Sequence, residues 1–333
     1  MALDYEALSK IDDTAGVAQL ENMRKTRDST TFKNRDAASY DPLTAEFDRF
    51  TRRLTQPLAE RMVELANLLP SERVLDLGTG TGVVALAAAA RPNFPGRITA
   101  VDLSEGMLCA AKQRAAREGF GSRLDFCRMD AEALGLENAS FDVALSLFAL
   151  LHFPNPLLAL RELFRVLRPG GRLVLAVGSG PKLASVSALR EGVKFLRRRL
   201  AIGRKHLLTG PSSLNDLVAR RLEGGAEPEE SSLARGGRKR TQKVPELIRH
   251  AGFCSMQTSW RGVEGVIETP EEFWDLQRTF SSFARKRLMD ADARQAEAVR
   301  AEFLETCREV QARGGKLTYP YGALYVVAKR PSG

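Results

Sequence analysis

Residues 74–82 read VLDLGTGTG, and this stretch decides the fold that the sequence predicts. An apolar strand runs into Gly78, Gly80 and Gly82, and a helix-forming run of valine, leucine and alanine follows. Glycine lets the backbone turn tightly and approach a ligand closely, because a Cβ atom would fill that space. Asp102 stands twenty residues beyond Gly82, at the end of the next apolar strand. A carboxylate there can accept hydrogen bonds from both hydroxyls of a ribose, so the pairing predicts a nucleoside-type ligand.

Two features of this loop argue against a nicotinamide or flavin site. The glycine spacing is GxGxG, whereas dinucleotide sites usually have GxGxxG. Asp76 also precedes the first glycine, where dinucleotide sites are usually apolar. An acidic side chain suits a cationic ammonium group better than a pyrophosphate. The loop is therefore expected to prefer a cationic nucleoside over NAD and FAD.

Outward from the loop, short apolar runs alternate with helical patterns. An amphipathic helix precedes the loop, with apolar residues at three- and four-residue steps from Phe47 to Leu69. Alternation of this kind predicts a doubly wound, mostly parallel α/β sheet covered by helices on both faces. The predicted strands are 73–77, 97–101, 124–128, 141–147, 172–177, 254–260 and 323–328. The predicted helices are 82–90, 105–118, 156–167, 189–208 and 244–251, with a helical pair between Pro270 and Gln311.

The charge divides the chain into parts. The protein has 333 residues and a net charge of +9, yet residues 181–250 alone hold 16 basic and 7 acidic residues. The remaining residues are therefore neutral overall. We expect an N-terminal arm over 1–38, a ligand-binding core over 39–180, a basic helical insert over 181–243, and the end of the core over 244–333 with substrate-side helices at 270–311.

Composition excludes several classes of protein. With 44% hydrophobic and 27% charged residues the chain is typical of a globular protein. The four cysteines are Cys109, Cys127, Cys254 and Cys307, and they form no CxxC or Cys/His cluster, so no metal site is expected. The N-terminus has no apolar core segment and the longest apolar runs are too short to span a bilayer. A cytoplasmic location is the expectation.

Residues 74–82 closely resemble motif I of the class I S-adenosylmethionine-dependent methyltransferases, and the resemblance continues along the chain. Residues 101–108 resemble the acidic loop of that family, residues 129–132 its adenine-contacting segment, and residues 141–146 its fourth strand. Residues 167–173, LRPGGRL, match the turn into the fifth strand. The resemblance implies a Rossmann-like methyltransferase fold with a seven-stranded sheet, helical substrate-cover insertions and S-adenosylmethionine as cofactor.

The resemblance also implies roles for individual residues. Asp76 would contact the methionine ammonium through the loop, Gly78 and Gly80 would admit the methionine moiety, Asp102 would hold the ribose, and Asp130 with Ala131 would flank the adenine. The full set expected at the cofactor is Asp76, Gly78, Thr79, Gly80, Gly82, Asp102, Leu103, Met107, Asp130, Ala131 and Leu147.

The residues after the fourth strand bear on the methyl acceptor. They lack the Asn/Asp-Pro-Pro-Tyr/Phe tetrapeptide of enzymes that methylate exocyclic amines, and no Pro-Cys pair points to cytosine methylation. The layout is most similar to small-molecule methyltransferases of the ubiquinone and menaquinone C-methylation group. His152, just past that strand, is a candidate base for a phenol or enol, because an unperturbed histidine titrates near pH 6.5. It can equally serve only to cap or pack.

The basic helical pattern at 189–208 leaves three interpretations open. It is a lid that packs its apolar stripe over the pocket, a membrane-surface helix, or a contact for nucleic acid or an acidic substrate. The segment lacks interleaved aromatic residues, which argues against single-stranded nucleic acid. The favoured function is methyl transfer to a small, apolar or aromatic acceptor at carbon or oxygen. The alternative is an RNA or protein methyltransferase, or a cofactor-binding module, that docks an anionic partner through the insert. The sequence names neither the acceptor nor the oligomeric state.

Overall fold

The structure, a computed structural model, describes residues 30–179, 193, 207–209, 211–222 and 237–332. The strands are β1 Val74–Leu77, β2 Ile98–Asp102, β3 Leu124–Arg128, β4 Phe141–Leu147, β5 Leu167–Gly178, β6 Leu207–Thr209, β7 Cys254–Ile267 and β8 Lys316–Lys329. The helices are α1 30–38, α2 Thr44–Phe50, α3 Gln56–Ala66, α4 Val83–Ala89, α5 Glu105–Arg117, α6 Pro156–Val166, α7 Pro211–Arg221, α8 Gly237–His250, α9 Pro270–Phe280, α10 Ser282–Asp290 and α11 Ala293–Ala312.

All eight of these strands form one sheet. Its order is β3-β2-β1-β4-β5-β8-β6, and β7 also pairs with β8. Strands β1 to β5 are parallel to one another, whereas β8 is antiparallel to β5 and β7. The chain order reverses between β1 and β4, and ligands bind beyond the carboxyl ends of the strands at such a point. The predicted fold class is confirmed, and β6 is one short strand more than predicted.

Both faces of the sheet are covered. Leu163 of α6 and Ile248 of α8 are fully buried on one face, and Met62 of α3 and Leu86 of α4 are buried on the other. The central strands β1 and β4 are buried along nearly their whole length, as parallel strands under two helical layers must be. The rigid sheet therefore fixes the positions of the loops at its carboxyl edge.

The first amphipathic helix is interrupted, contrary to the prediction of one continuous helix. A π-helical turn at Thr51–Thr55 separates α2 from α3. Pro57 stands in the first turn of α3, and a proline has no N–H to continue an α-helical hydrogen-bond ladder. The helix then ends at Ala66 because Asn67 adopts a left-handed conformation, with φ 47°. The turn brings Thr51 and Thr55 to the cavity described below.

The predicted helical pair at 270–311 is three helices. Ser281 caps α10 by accepting a hydrogen bond from the Ala284 N–H at 3.0 Å, and Asp292 caps α11 by accepting one from the Gln295 N–H at 2.8 Å. Capping side chains of this kind start new helices. The strands at the end of the chain are also longer than predicted, because β7 and β8 pair over nearly their whole length.

The predicted insert, 181–243, lies mostly outside the described residues, including almost all of the basic pattern at 189–208. Leu207 and Leu208 belong to β6, which pairs with β8, so the predicted helix is wrong at that end. Leu217 of α7 is buried against the helices that follow, in a cluster with Phe273 and Phe303. Among the described residues, no helix is long and apolar enough to cross a membrane.

Candidate active site

A cavity of about 660 Å³ opens where the sheet order reverses. Its volume lies within the usual range for small-molecule sites. The loops after β1, β2, β3 and β4 supply one wall. Nine of the eleven expected cofactor residues line it: Gly78, Thr79, Gly80, Asp102, Leu103, Met107, Asp130, Ala131 and Leu147.

Asp102 is placed by the glycine loop itself. Its Oδ2 accepts the Gly80 N–H at 2.8 Å and its Oδ1 accepts the Ser104 N–H at 3.0 Å. A carboxylate has about four lone-pair positions, so Asp102 can still accept a hydrogen bond from a ligand hydroxyl. Burial raises the pKa of Asp102, and the backbone N–H groups of Ser104 and Gly80 oppose that rise.

Asp76 and Gly82 lie beside the cavity and not in its lining. Gly82 has φ 82° and lies just before α4. A Cβ atom there would stand 3.2 Å from the Ala111 Cβ, so Gly82 allows α4 and α5 to pack closely. Asp76 is buried beneath the loop, where its Oδ2 accepts the Thr79 hydroxyl at 2.7 Å and the Ala85 N–H at 3.1 Å. Among the described residues its Oδ1 has no hydrogen-bond partner. Asp76 therefore fixes the loop from below.

We expect Asp76 to make stability depend on pH. Burial raises its pKa to about 7, partly offset by the hydrogen bonds from Thr79 and Ala85. The folded state keeps a proton that the unfolded state has lost, so the contribution of Asp76 to stability is fully present below its ordinary pKa of 3.8 and is lost as pH rises from there through about 7. The loss is on the order of 4 kcal/mol for a shift of this size.

The Asp76→Asn variant tests this dependence, because the amide keeps an acceptor oxygen without titrating. Urea unfolding at pH 5 and pH 8 should show a falling midpoint for the wild type and a smaller change for the variant. Equal changes in the two proteins would contradict the assignment.

Helix α1, at the end of the predicted N-terminal arm over 1–38, lines one side of the cavity. Lys33 lines the cavity and donates hydrogen bonds to Asp130 at 2.5 Å and to Glu132 at 3.1 Å. Burial lowers the pKa of Lys33, but these two carboxylates outweigh it and raise the pKa overall. The side chain of Asp130, which is expected beside adenine, thus also accepts a hydrogen bond from Lys33 of α1. The polar sequence of α1 has no periodic apolar pattern, so nothing in it signalled this contact.

His152 lines the same cavity, and its side chain is 38% exposed. Its Nδ1 lies 3.0 Å from Oδ2 of Asp36, a buried residue of α1. Lys286 and Arg285 of α10 also face Asp36. The candidate base is therefore held by a carboxylate that the sequence did not single out.

Aromatic rings form a chain from His152 across the cavity. Successive ring centroids are 5.5 to 6.0 Å apart, and all six rings line the cavity. In order they are His152, Tyr40, Phe47, Phe280, Tyr319 and Tyr321. The hydroxyl of Tyr321 is buried and has no hydrogen-bond partner among the described residues. Of the aromatic residues at 273–283, only Phe280 lines the cavity, whereas Phe273 and Trp274 lie in the core.

Comparison with known proteins gives a consistent result. A methyltransferase domain model matches residues 75–175. The chain is 29% identical over 226 residues to a demethylmenaquinone methyltransferase of Clavibacter sepedonicus, covering 66% of this chain and 83% of that protein. It is 32% identical over 190 residues to a 27-O-demethylrifamycin SV methyltransferase of Amycolatopsis mediterranei, covering 57% and 65%.

A solved structure supports the fold alone. The [4+2]-cyclase SpnF is 22% identical, with a TM-score of 0.50, and the match covers 84% of this chain and 82% of that one. The name of that protein describes a cyclisation, so the fold does not by itself decide the reaction.

With motif I at the switch point of the sheet, the methyltransferase-domain match and these relatives support a class I S-adenosylmethionine-dependent methyltransferase. It is a transferase of the EC 2.1.1 type, and S-adenosylmethionine is its cofactor. Both statements agree with the expectation from the sequence.

Proposed function

We propose that the cofactor lies along the wall formed by the glycine loop, with its ribose on Asp102 and its adenine beside Asp130 and Ala131. The free lone pairs of Asp102 suit two ribose hydroxyls. The space that a Cβ atom of Gly80 would enter holds only the Phe47 ring within 4 Å, at 3.4 Å. When bound, S-adenosylmethionine supplies a methyl carbon made electrophilic by its sulfonium, and transfer breaks the carbon–sulfur bond to leave a neutral thioether.

The acceptor that we propose is a small aromatic or apolar molecule. The observation that carries this is the chain of aromatic rings from His152 to Tyr321. Phe47 belongs to that chain and also stands over Gly80, so an aromatic acceptor stacked there lies next to the expected methionine end of the cofactor. Aromatic rings offer little to a phosphate backbone, which instead needs lysine and arginine.

His152 would act as the base in this reaction. Transfer of a methyl group from a sulfonium needs few catalytic groups. The protein has to place the acceptor, exclude water and remove one proton. The relatives methylate, by their names, demethylmenaquinone and 27-O-demethylrifamycin SV, and a further relative acts on aklanonic acid. We infer carbon or oxygen methylation of a related hydroxylated compound.

The test is methyl transfer from isotopically labelled S-adenosylmethionine. The protein is incubated with demethylmenaquinone, 27-O-demethylrifamycin SV and aklanonic acid in separate reactions, and with a mixed pool of small metabolites. Labelled product in the small-molecule fraction is expected. Label appearing only in added RNA or protein would contradict the proposal and favour the alternative function.

Gly80 and a distant glycine provide a matched pair for the cofactor site. Gly80 has φ 54° and Gly119 has φ 80°, so a side chain strains both backbones by about 1–2 kcal/mol. A Cβ at Gly119 meets nothing within 4 Å. We expect Gly80→Ala and Gly119→Ala to lose similar stability, and only Gly80→Ala to lose affinity for S-adenosylhomocysteine, measured by calorimetry. Equal affinities would show that the glycine serves the turn alone.

The basic insert, 181–243, stays a proposed substrate-side cover, and contact of 189–208 with a membrane surface stays a prediction. Replacing Arg197, Arg198 and Arg199 together with glutamine should leave cofactor affinity intact and change acceptor turnover or attachment to anionic vesicles. Loss of cofactor affinity would place the insert in the cofactor site.

If the anionic-partner alternative holds, activity should instead fall steeply with salt. A cytoplasmic location is likewise a prediction.

A further inference from the structure

Asp36 is a buried carboxylate with two partners of different kinds. Its Oδ2 faces the Nδ1 of His152 at 3.0 Å, and its Oδ1 lies 3.3 Å from the Nζ of Lys286. Burial favours the neutral acid, but His152, Lys286 and Arg285 outweigh it and hold the pKa at about 2. Asp36 is therefore ionised at any pH at which the protein works, and an ionised carboxylate only accepts hydrogen bonds.

We propose that Asp36 is a positioning residue that holds His152 in the tautomer with its proton on Nδ1, so that Nε2 can take a proton from a hydroxyl of the acceptor. This rests on the proposed function. In the step, the acceptor O–H bond breaks, an Nε2–H bond forms, and the electron pair stays on the oxygen. The positive imidazolium that results lies against the negative Asp36. The acceptor must then carry an ionisable hydroxyl, which is a phenol or an enol.

Lys286 determines how a side chain at position 36 is oriented toward His152. Its ammonium lies 3.3 Å from Oδ1, and a positive charge there favours an oxygen over an NH₂ group at that position. In an Asp36→Asn variant the amide oxygen would turn toward Lys286 and the NH₂ group toward His152. Nδ1 would then have to accept, the proton would move to Nε2, and Nε2 could no longer act as a base. The same change at an exposed carboxylate would have no such effect.

The tautomer can be observed directly by ¹⁵N nuclear magnetic resonance of histidine-labelled protein. The chain has 3 histidines, so a His152→Asn variant assigns the signal. Spectra recorded over an alkaline pH series should show the neutral ring of the wild type protonated on Nδ1, and that of Asp36→Asn protonated on Nε2. Wild-type protein with its proton on Nε2 would overturn the proposal, whatever the Asp36→Asn variant shows.

A double variant sharpens the test. In Asp36→Asn with Lys286→Met the amide is free to turn its oxygen toward His152, so the Nδ1 tautomer and part of the activity should return. Failure of the second change to shift the tautomer back would contradict the role given to Lys286. The control is Asp290→Asn. It breaks an exposed ion pair between Arg35 of α1 and Asp290 at the end of α10, and it should leave the tautomer unchanged.

This readout is separate from the proposed function. The spectra need neither cofactor nor acceptor, so a protein that fails to methylate the compounds above can still show the Asp36-held tautomer. If methylation is found, Asp36→Asn should lower turnover about 10²-fold or more with unchanged affinity for S-adenosylhomocysteine. Equal losses of turnover in Asp36→Asn and Asp290→Asn would indicate that α1 merely has to be anchored.

Discussion

Replacing Asp102 by alanine is expected to weaken S-adenosylhomocysteine binding about 100-fold or more. The variant removes the carboxylate that is proposed to accept two ribose hydroxyls, and each charge-assisted hydrogen bond is worth about 1.5–3 kcal/mol. It also releases the Gly80 N–H, which Asp102 accepts at 2.8 Å. Isothermal calorimetry measures the dissociation constant.

Asp125→Ala is the matched control, because Asp125 lies on the neighbouring strand β3 and its side chain is 50% exposed in a pair with Arg97. That variant should bind like the wild type. An unchanged dissociation constant in Asp102→Ala would show that the ribose is held elsewhere.

Replacing His152 by asparagine is expected to reduce methyl transfer by about 10²- to 10⁴-fold, the usual contribution of a general base. Affinity for S-adenosylhomocysteine should be unchanged, because His152 is assigned to the acceptor and not to the cofactor. The rate of the variant should recover as pH rises, since a hydroxyl that ionises in solution needs no base. Single-turnover rates over a pH series with an acceptor found in the labelling experiment measure both effects.

His250→Asn controls for histidine replacement as such, because His250 is exposed at the end of α8. It should have wild-type rates. Parallel loss of cofactor affinity and turnover in His152→Asn, or no loss of turnover, would remove His152 from the reaction.

The sequence predicted the parallel part of the sheet well because local pattern determines it. β3 and β4 begin and end at the predicted residues, 124–128 and 141–147. For β4 the reason is that a strand buried along nearly its whole length must be a short apolar run between turns. The residues that line the cavity at this edge followed from the same pattern, because strand ends fix which residues reach the switch point.

The sequence did not predict contacts made across the fold. Asp36 is 116 residues from His152 along the chain, and Lys33 is 97 from Asp130. No local periodicity records such a pairing, and the polar composition of α1 resembles that of an unpacked arm. The break of the first helix at Thr51–Thr55 and the length of β7 and β8 likewise depend on packing and long-range pairing.

Calorimetric titration of S-adenosylhomocysteine into the wild-type protein, with NADH titrated in parallel, tests most directly that the cavity over Gly78, Gly80 and Asp102 is a cofactor site of the methyltransferase kind. We predict saturable binding of one S-adenosylhomocysteine per chain and no heat of binding with NADH. Binding of NADH without binding of S-adenosylhomocysteine would contradict the account.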